Sequence, residues 1–318
     1  MIVLDPAVER LLAASATPPS MDDLGPVPGR QALREAQADR IEDFEVRAEF
    51  RVAPVGPSGL VGFWIFRPAG VREPPPTLFY LHGGRWMLGD VQTHARLISE
   101  LVAETGAVAV VPEYSRTPEA RYPVALEECY FLLTWVLDQG DALGLDTDRI
   151  AVAGDCAGAT LATALTMLAK QRGGPRIAAQ LLFYPLLDAG CASGSQRRFA
   201  SGYLLTRKAL RRYWREYLRG SESWTEPTAS PLCATLSDLE GLPAALIVTA
   251  EADVARDEGE QYARRLREAG VEVSATRFLG TVHDFVALNA LRDSPPSRAA
   301  MRQGCDFLRA RLTREPPG

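Results

Sequence analysis

From about residue 77 onward two patterns alternate along the chain. Short apolar runs occupy Thr77–Leu81, Ala107–Val111, Ile150–Ala153, Ala178–Tyr184, Ala244–Thr249 and Val273–Leu279. Between and after them, apolar residues recur at helical spacing over about Thr93–Glu104, Pro123–Asp138, Ala157–Lys170, Asp257–Ala269 and Ser297–Leu312. Strands that are apolar on both faces must be covered on both faces, so the pattern predicts an α/β protein with a mainly parallel sheet between helices. Upstream, Phe44–Val52 and Leu60–Phe66 alternate polar and apolar residues around Pro54-Val55-Gly56-Pro57. That predicts a hairpin-like antiparallel pair.

Two regions lack strand character. Residues 1–45 are rich in Ala, Arg and Glu and predict one or two helices around a Pro/Gly break at Gly25–Gly29. Between Tyr184 and Ala244 no core strand is visible, but Thr206–Arg219 has helical spacing. A structureless loop of that length is uncommon, so an inserted helical cap is the expectation. The organisation expected is N-terminal cap helices over 1–45 and a core over 46–318, with a cap insertion at about 188–228. The basic residues of Arg207–Arg215 alternate with Tyr and Trp and are read as a solvated helix face.

Composition narrows the function classes. The chain has 318 residues, 47% hydrophobic and 24% charged, with a formal net charge of −5, as in an ordinary water-soluble domain. Nothing points to nucleic acid. No run is long or apolar enough to suggest a membrane span, and Asp5, Glu9 and Arg10 argue against a signal peptide, so a cytoplasmic location is expected. The 5 cysteines have neither disulfide-framework nor metal-site spacing. Neither a metal nor a cofactor is implied. Cys129, Cys191, Cys233 and Cys305 are read as small packing or surface residues.

The candidate chemistry starts at Cys156, within Gly154-Asp155-Cys156-Ala157-Gly158, between an apolar run and a helical one. Such a strand–turn–helix elbow holds a nucleophile in a strained conformation that needs small neighbours. The same signature taken alone also fits a tight turn around an inert cysteine. What strengthens it is position. Cys156, Asp253, His283 and the His82-Gly83-Gly84 turn all follow apolar runs, and groups at strand carboxyl ends converge on one side of an open sheet. Cys156 is then the candidate nucleophile, His283 its base and later acid, and Asp253 the group that orients the imidazole. Glu251, Asp257 and Glu258 compete with Asp253, although Asp257 and Glu258 also suit a first helical turn. Backbone N–H groups of Gly83, Gly84 and Ala157 are the candidate oxyanion donors. His82 is read as structural, tying down its loop, and His94 as a helix-surface residue.

These motifs together resemble the hormone-sensitive-lipase family of α/β-hydrolases, in its bacterial esterase form. The resemblance runs from about residue 40. It includes Tyr80-Leu81-His82-Gly83-Gly84, Glu113-Tyr114 with Pro118-Glu119, Pro123 with Ala125-Leu126-Glu127, and the Cys156 elbow. It continues through Tyr184-Pro185 with Asp188, Gly202-Tyr203-Leu204-Leu205-Thr206, Ser230-Pro231, Asp253 with Arg256-Asp257-Glu258, and His283. It implies an α/β-hydrolase fold with an eight-stranded type of sheet, a helical cap, a catalytic triad and cofactor-free activity on acyl esters. Members of the family are often monomers or dimers, so the resemblance implies a monomer or homodimer.

The chain departs from the family pattern at several positions. Cys156 stands where the family has serine, Arg85 replaces a third glycine, Ala159 replaces a glycine after the elbow, and Asp284 stands where glycine is common. Arg85 either meets a substrate anion or turns to solvent, and its side chain restricts the turn it occupies. Trp86, Tyr203, Tyr213 and Trp214 are candidate walls for an acyl group, with simple packing as the competing role.

The expected function is hydrolysis of a small acyl ester or thioester through an acyl-Cys156 intermediate. The alternatives are a biosynthetic acyltransferase or cyclase using the same intermediate, and a non-catalytic binding protein. Asp253 and His283 favour catalysis over the last. A cysteine introduced in place of serine would give the same sequence.

Overall fold

The computed structural model describes residues 2–16, 20–38, 44–70, 74–218 and 222–313. Parts of both expected cap segments, including 17–19, 39–43 and 219–221, lie outside the described residues. Eight strands form one sheet: β1 (Val46–Ala53), β2 (Val61–Pro68), β3 (Pro76–Leu81), β4 (Val108–Pro112), β5 (Asp146–Asp155), β6 (Ala179–Phe183), β7 (Ala244–Ala252) and β8 (Val273–Val282). Their spatial order is β1-β2-β4-β3-β5-β6-β7-β8. The β1–β2 and β2–β4 pairings are antiparallel, and every other pairing is parallel. The hairpin and the parallel run fall where the hydrophobic pattern put them.

Eleven helices are seen among the described residues. They are α1 (Pro6–Ala14), α2 (Pro26–Ala36), α3 (Val91–Thr105), α4 (Val124–Asp138), α5 (Gly140–Leu143), α6 (Cys156–Gln171), α7 (Gly194–Arg198), α8 (Arg207–Tyr217), α9 (Leu236–Leu239), α10 (Arg256–Glu268) and α11 (Pro295–Leu312). Local sequence explains their ends. Asp90 caps α3 by accepting from Thr93 N–H at 2.9 Å, while Thr93 Oγ1 accepts from Asp90 N–H at 3.0 Å. Gly106 closes α3 at φ 69°, a left-handed value that glycine adopts without steric cost. Helices α3 and α11 pack together over one face of the sheet, and α4, α6 and α10 cover the other. Strands β3, β4 and β6 are buried almost throughout, whereas the edge strands β1 and β8 are exposed or half-buried except at their carboxyl ends.

The interval from Tyr184 to Ala244 holds α7, α8 and α9 and, among the described residues, no strand. Helix α8 buries Ala209, Leu210, Tyr213, Trp214 and Tyr217 on one face. Its other face is more than a solvated surface: Arg207, Lys208, Arg211 and Arg215 line a groove of about 790 Å³ with Trp224. No described helix is long and apolar enough to cross a membrane.

Among the described glycines, the closest approach to backbone lies where β3, β5 and α6 meet. A Cβ on Gly158 would lie 2.0 Å from the carbonyl oxygen of Leu81 and 2.5 Å from that of His82. A Cβ on Gly154 would lie 2.5 Å from the Gly158 backbone. No side-chain rotation relieves a clash with backbone. Gly158→Ala is therefore expected to lower stability by about 3 kcal/mol or more, beyond the usual overpacking range, as read by chemical denaturation. A loss under about 1 kcal/mol would mean that the elbow and the loop after β3 are not held this close.

Candidate active site

Each candidate group sits at the carboxyl end of its strand. Strand β5 ends at Asp155, directly before Cys156; β7 ends at Ala252, before Asp253; β8 ends at Val282, before His283; and β3 ends at Leu81, before His82. Strands β7 and β8 run three residues further than their apolar runs suggest, which places both side chains at the first position beyond the sheet. Cys156 has φ 51°, a left-handed value that is unfavourable for a residue with a Cβ. It also opens α6, whose N-terminus favours negative charge at that point.

The structure brings Cys156 and His283 together. The Cys156 sulfur, a ring nitrogen of His283 and a carboxylate oxygen of Asp284 lie within 4.8 Å of one another, and all three residues are buried. On the far side of the imidazole, Nδ1 is 2.8 Å from Asp253 Oδ2. The competing acids are engaged elsewhere. Glu251 accepts from Gly280 N–H, Asp257 from Ser195 N–H, and Glu258 turns inward to accept from Leu187 N–H. Burial disfavours a charged His283, but Asp253, Asp284 and Cys156 outweigh it and hold its pKa well above the ordinary 6.5. Tyr184, at the end of β6, packs its ring 5.0 Å from that of His283, and its hydroxyl accepts from Ala287 N–H at 3.0 Å. It thereby braces the loop that carries the histidine.

Asp155 organises the opposite wall. Its carboxylate is fully buried and accepts from Tyr80 Oη at 2.6 Å and from Gly83 N–H at 2.9 Å, with His94 Nε2 at 3.3 Å. The Gly83 N–H is thus committed to Asp155. The Gly84 and Arg85 N–H groups take no protein acceptor among the described residues. Gly84, at φ 102°, passes so close to Gly89 that a Cβ would lie 2.1 Å from that residue's nitrogen.

His94 corrects the sequence expectation: it is a buried partner of Asp155, 5% exposed, and not a helix-surface residue. Burial opposes its charge, but the neighbouring Asp155 carboxylate raises its pKa, while Asp155 is lowered in return against its own burial. His82, whose ring is 5.6 Å away, is pushed by burial and by His94 to about 3 and stays neutral. Its ring stacks on Tyr114 with centroids 4.3 Å apart, and Nδ1 lies 2.9 Å from Gly83 O.

Arg85 does not turn to solvent. It is buried at φ 58°, with Nη2 3.2 Å from Asp284 Oδ2 and Nε 3.5 Å from Asp22 Oδ1. Asp284, itself at φ 63°, directs its other oxygen to His283 Nε2 at 3.4 Å. The two departures from glycine are therefore one ion pair. Sequence reading missed this role for Asp284, although its place directly after His283, where glycine is common, was the available signal. Trp86 and Trp214 are buried against each other at 4.4 Å, and Trp86 stacks on Tyr217 at 4.5 Å. Neither indole N–H has a partner among the described residues. Tyr203 is half-buried, edge-on to Phe199.

Residues 78–287 match a family model described as alpha/beta hydrolase fold. The chain is 33% identical over 298 residues to a putative alpha/beta hydrolase of Acanthamoeba polyphaga mimivirus, covering 94% of this chain and 85% of that one. It is 32% identical over 316 residues to the esterase LipI of Mycobacterium tuberculosis, covering 97% and 95% of the two chains. A solved structure of a thermostable esterase from Pseudomonas putida superposes with a TM-score of 0.95 at 37% identity, covering 98% and 99%.

The Asp155–His94 pair predicts a pH signature. A raised His94 pKa contributes stability that is complete below the unfolded value of about 6.5 and is lost as pH rises through the folded value. A lowered Asp155 pKa contributes stability that is complete above about 3.9 and is lost as pH falls. His94→Ala is thus expected to cost about 3 kcal/mol near pH 5–6, the loss expected on breaking a buried pair, and less at alkaline pH. Melting curves across that range test this. A penalty that does not change with pH would mean that His94 acts by packing alone.

Proposed function

The chain belongs to the alpha/beta hydrolase fold family, and from that premise we propose that it is a carboxylic-ester hydrolase that works through an acyl-Cys156 intermediate. The observation that carries the reading is the Asp253–His283 hydrogen bond of 2.8 Å, on an imidazole whose other side faces the Cys156 sulfur. His283 takes the thiol proton as sulfur attacks the acyl carbonyl. The tetrahedral oxyanion is received by N–H groups of Ala157 and Gly84, joined by that of Arg85 in place of Gly83, which is occupied by Asp155. Collapse breaks the ester C–O bond, and His283 returns the proton to the departing alcohol. A water molecule, deprotonated by His283, then attacks the thioester, releasing the acid and regenerating the thiol. Asp253 fixes the imidazole tautomer and steadies the imidazolium throughout.

In this reading α1, α2, α7 and α8 form the cap. Its support is the run of contacts from the N-terminal segment to the site loops. Tyr213 of α8 donates to Asp22 at 3.0 Å, and Arg30 of α2 donates to Met87 O at 2.8 Å and to Thr117 O at 2.9 Å. In the same reading Trp86, Trp214 and Tyr203 would wall the acyl chain, with the mutual stacking of the two tryptophans giving them a packing role as well. Arg85 contributes its backbone, because its guanidinium is already held by two carboxylates.

Mixing the protein with a short-chain p-nitrophenyl ester is expected to release nitrophenol and to leave a transient acyl adduct on Cys156, read by intact-protein mass spectrometry. Cys156→Ala should lose the adduct and at least on the order of 10³-fold of the turnover. Turnover that survives in the alanine variant would sink the reading. An adduct that resists water but transfers to added amines or thiols would instead mark an acyltransferase. Asp253→Asn is expected to lower kcat by on the order of 10⁴, because the imidazole then adopts the wrong tautomer. A loss of only a few-fold would remove Asp253 from the triad.

A further inference from the structure

With sulfur at position 156, the same corner has the donor set of a zinc site. Cys156, His283 and Asp284 place one sulfur, one ring nitrogen and one carboxylate oxygen within 4.8 Å of one another. Three protein ligands of these types, with a fourth position left for water, make up an open zinc site. Tetrahedral bonds of about 2.3 Å to sulfur and about 2.0–2.2 Å to nitrogen and oxygen put ligand atoms roughly 3.3–3.7 Å apart. His283 Nε2 and Asp284 Oδ1 are already 3.4 Å apart, so the sulfur needs at most a side-chain adjustment.

Two further observations point to a ligand. His283 Nε2 is buried, 1% exposed as a residue, and has no hydrogen-bond partner among the described residues. The outer groups that a metal site requires are also in place. Asp253 accepts from the far nitrogen of His283 at 2.8 Å, which fixes the tautomer that offers Nε2 as a ligand. Arg85 holds the second oxygen of Asp284 at 3.2 Å, which leaves the first directed at the site. A serine hydroxyl at 156 would be a far poorer donor than a thiolate, so the site follows from the substitution.

We propose that Cys156, His283 and Asp284 bind a single Zn²⁺ ion, or a soft dication of similar size, and that the bound metal silences the nucleophile. Binding releases the thiol proton and any proton on His283 Nε2 to solvent, and the sulfur lone pair and the imidazole nitrogen that acyl transfer needs are then both committed to the metal. Local charge suits a dication: Asp22 and Asp284 pair with the Arg85 guanidinium, and Asp253 adds a third carboxylate behind His283. The site goes beyond the acyl-enzyme reading and does not depend on it, because binding can be measured without substrate.

The test is calorimetric titration of the chelator-treated full chain with Zn²⁺, paired with a Co²⁺ titration read by the near-ultraviolet thiolate-to-metal charge-transfer band. One equivalent per chain is expected, with the cobalt band present. Cys156→Ser should remove the band, and Cys156→Ser and Asp284→Asn should each weaken Zn²⁺ binding at least about tenfold. Cys233→Ser, which alters the exposed thiol, should change neither. Melting curves confirm that each variant is folded. Absence of binding by the wild type overturns the site, as does binding unchanged in Cys156→Ser and Asp284→Asn or lost in Cys233→Ser. If the protein hydrolyses p-nitrophenyl esters, Zn²⁺ should inhibit reversibly, with recovery on adding chelator, and acceleration by Zn²⁺ would overturn the silencing role.

Discussion

The contact between the elbow at Cys156 and the loop after β3 is made by backbone against backbone. Gly154, Gly158, Gly83 and Gly84 each lie where a Cβ would come within 2.5 Å of another atom. Asp155, one residue before Cys156, reaches across this contact and accepts from Gly83 N–H and Tyr80 Oη. One buried carboxylate therefore sets both the strained turn that presents sulfur and the turn that presents N–H donors. Its own charge is sustained by His94. Leaving that carboxylate uncompensated would cost more than any single neutral hydrogen bond in the site returns.

A second constraint joins the histidine loop to the N-terminal segment. Arg85 and Asp284 both occupy left-handed backbone positions, where glycine would carry no steric penalty. Their ion pair, extended to Asp22, gives a physical reason for two residues that each look unfavourable alone. It also places a carboxylate on the Nε2 side of His283, opposite Asp253. The imidazole is thus held between two acids, and its tendency to carry a proton is a property of the group as a whole.

Sulfur changes what such a site offers. Oxygen and sulfur nucleophiles share the geometry of the elbow, but a thiolate is softer, binds d-block metals and forms a thioester that many acceptors attack. The buried corner gathers imidazole and carboxylate around the sulfur. In the same scaffold, the acyl chemistry and the zinc binding proposed above would both follow from one atom.

The sheet, its hairpin edge and most helices were legible in the sequence, because burial on both faces forces continuous apolar strands and periodic helices. The positions of Cys156, Asp253 and His283 were legible for a related reason: strand ends are local features, and an open sheet collects them on one side. What the sequence left open was which polar groups meet across long separations. His94 reads as a surface residue until α3 is docked on the sheet, where Asp155 at the end of β5 becomes its partner. Gly83 reads as an oxyanion donor until Asp155 is seen to accept its N–H. Arg85 and Asp284 stand 199 residues apart, and nothing periodic links them. Hydrophobic pattern is written along the chain, so the sequence alone determined the architecture and the candidate nucleophile, acid and base. Pairings of buried charges depend on where separate elements dock, so only the tertiary structure decided how the site is wired.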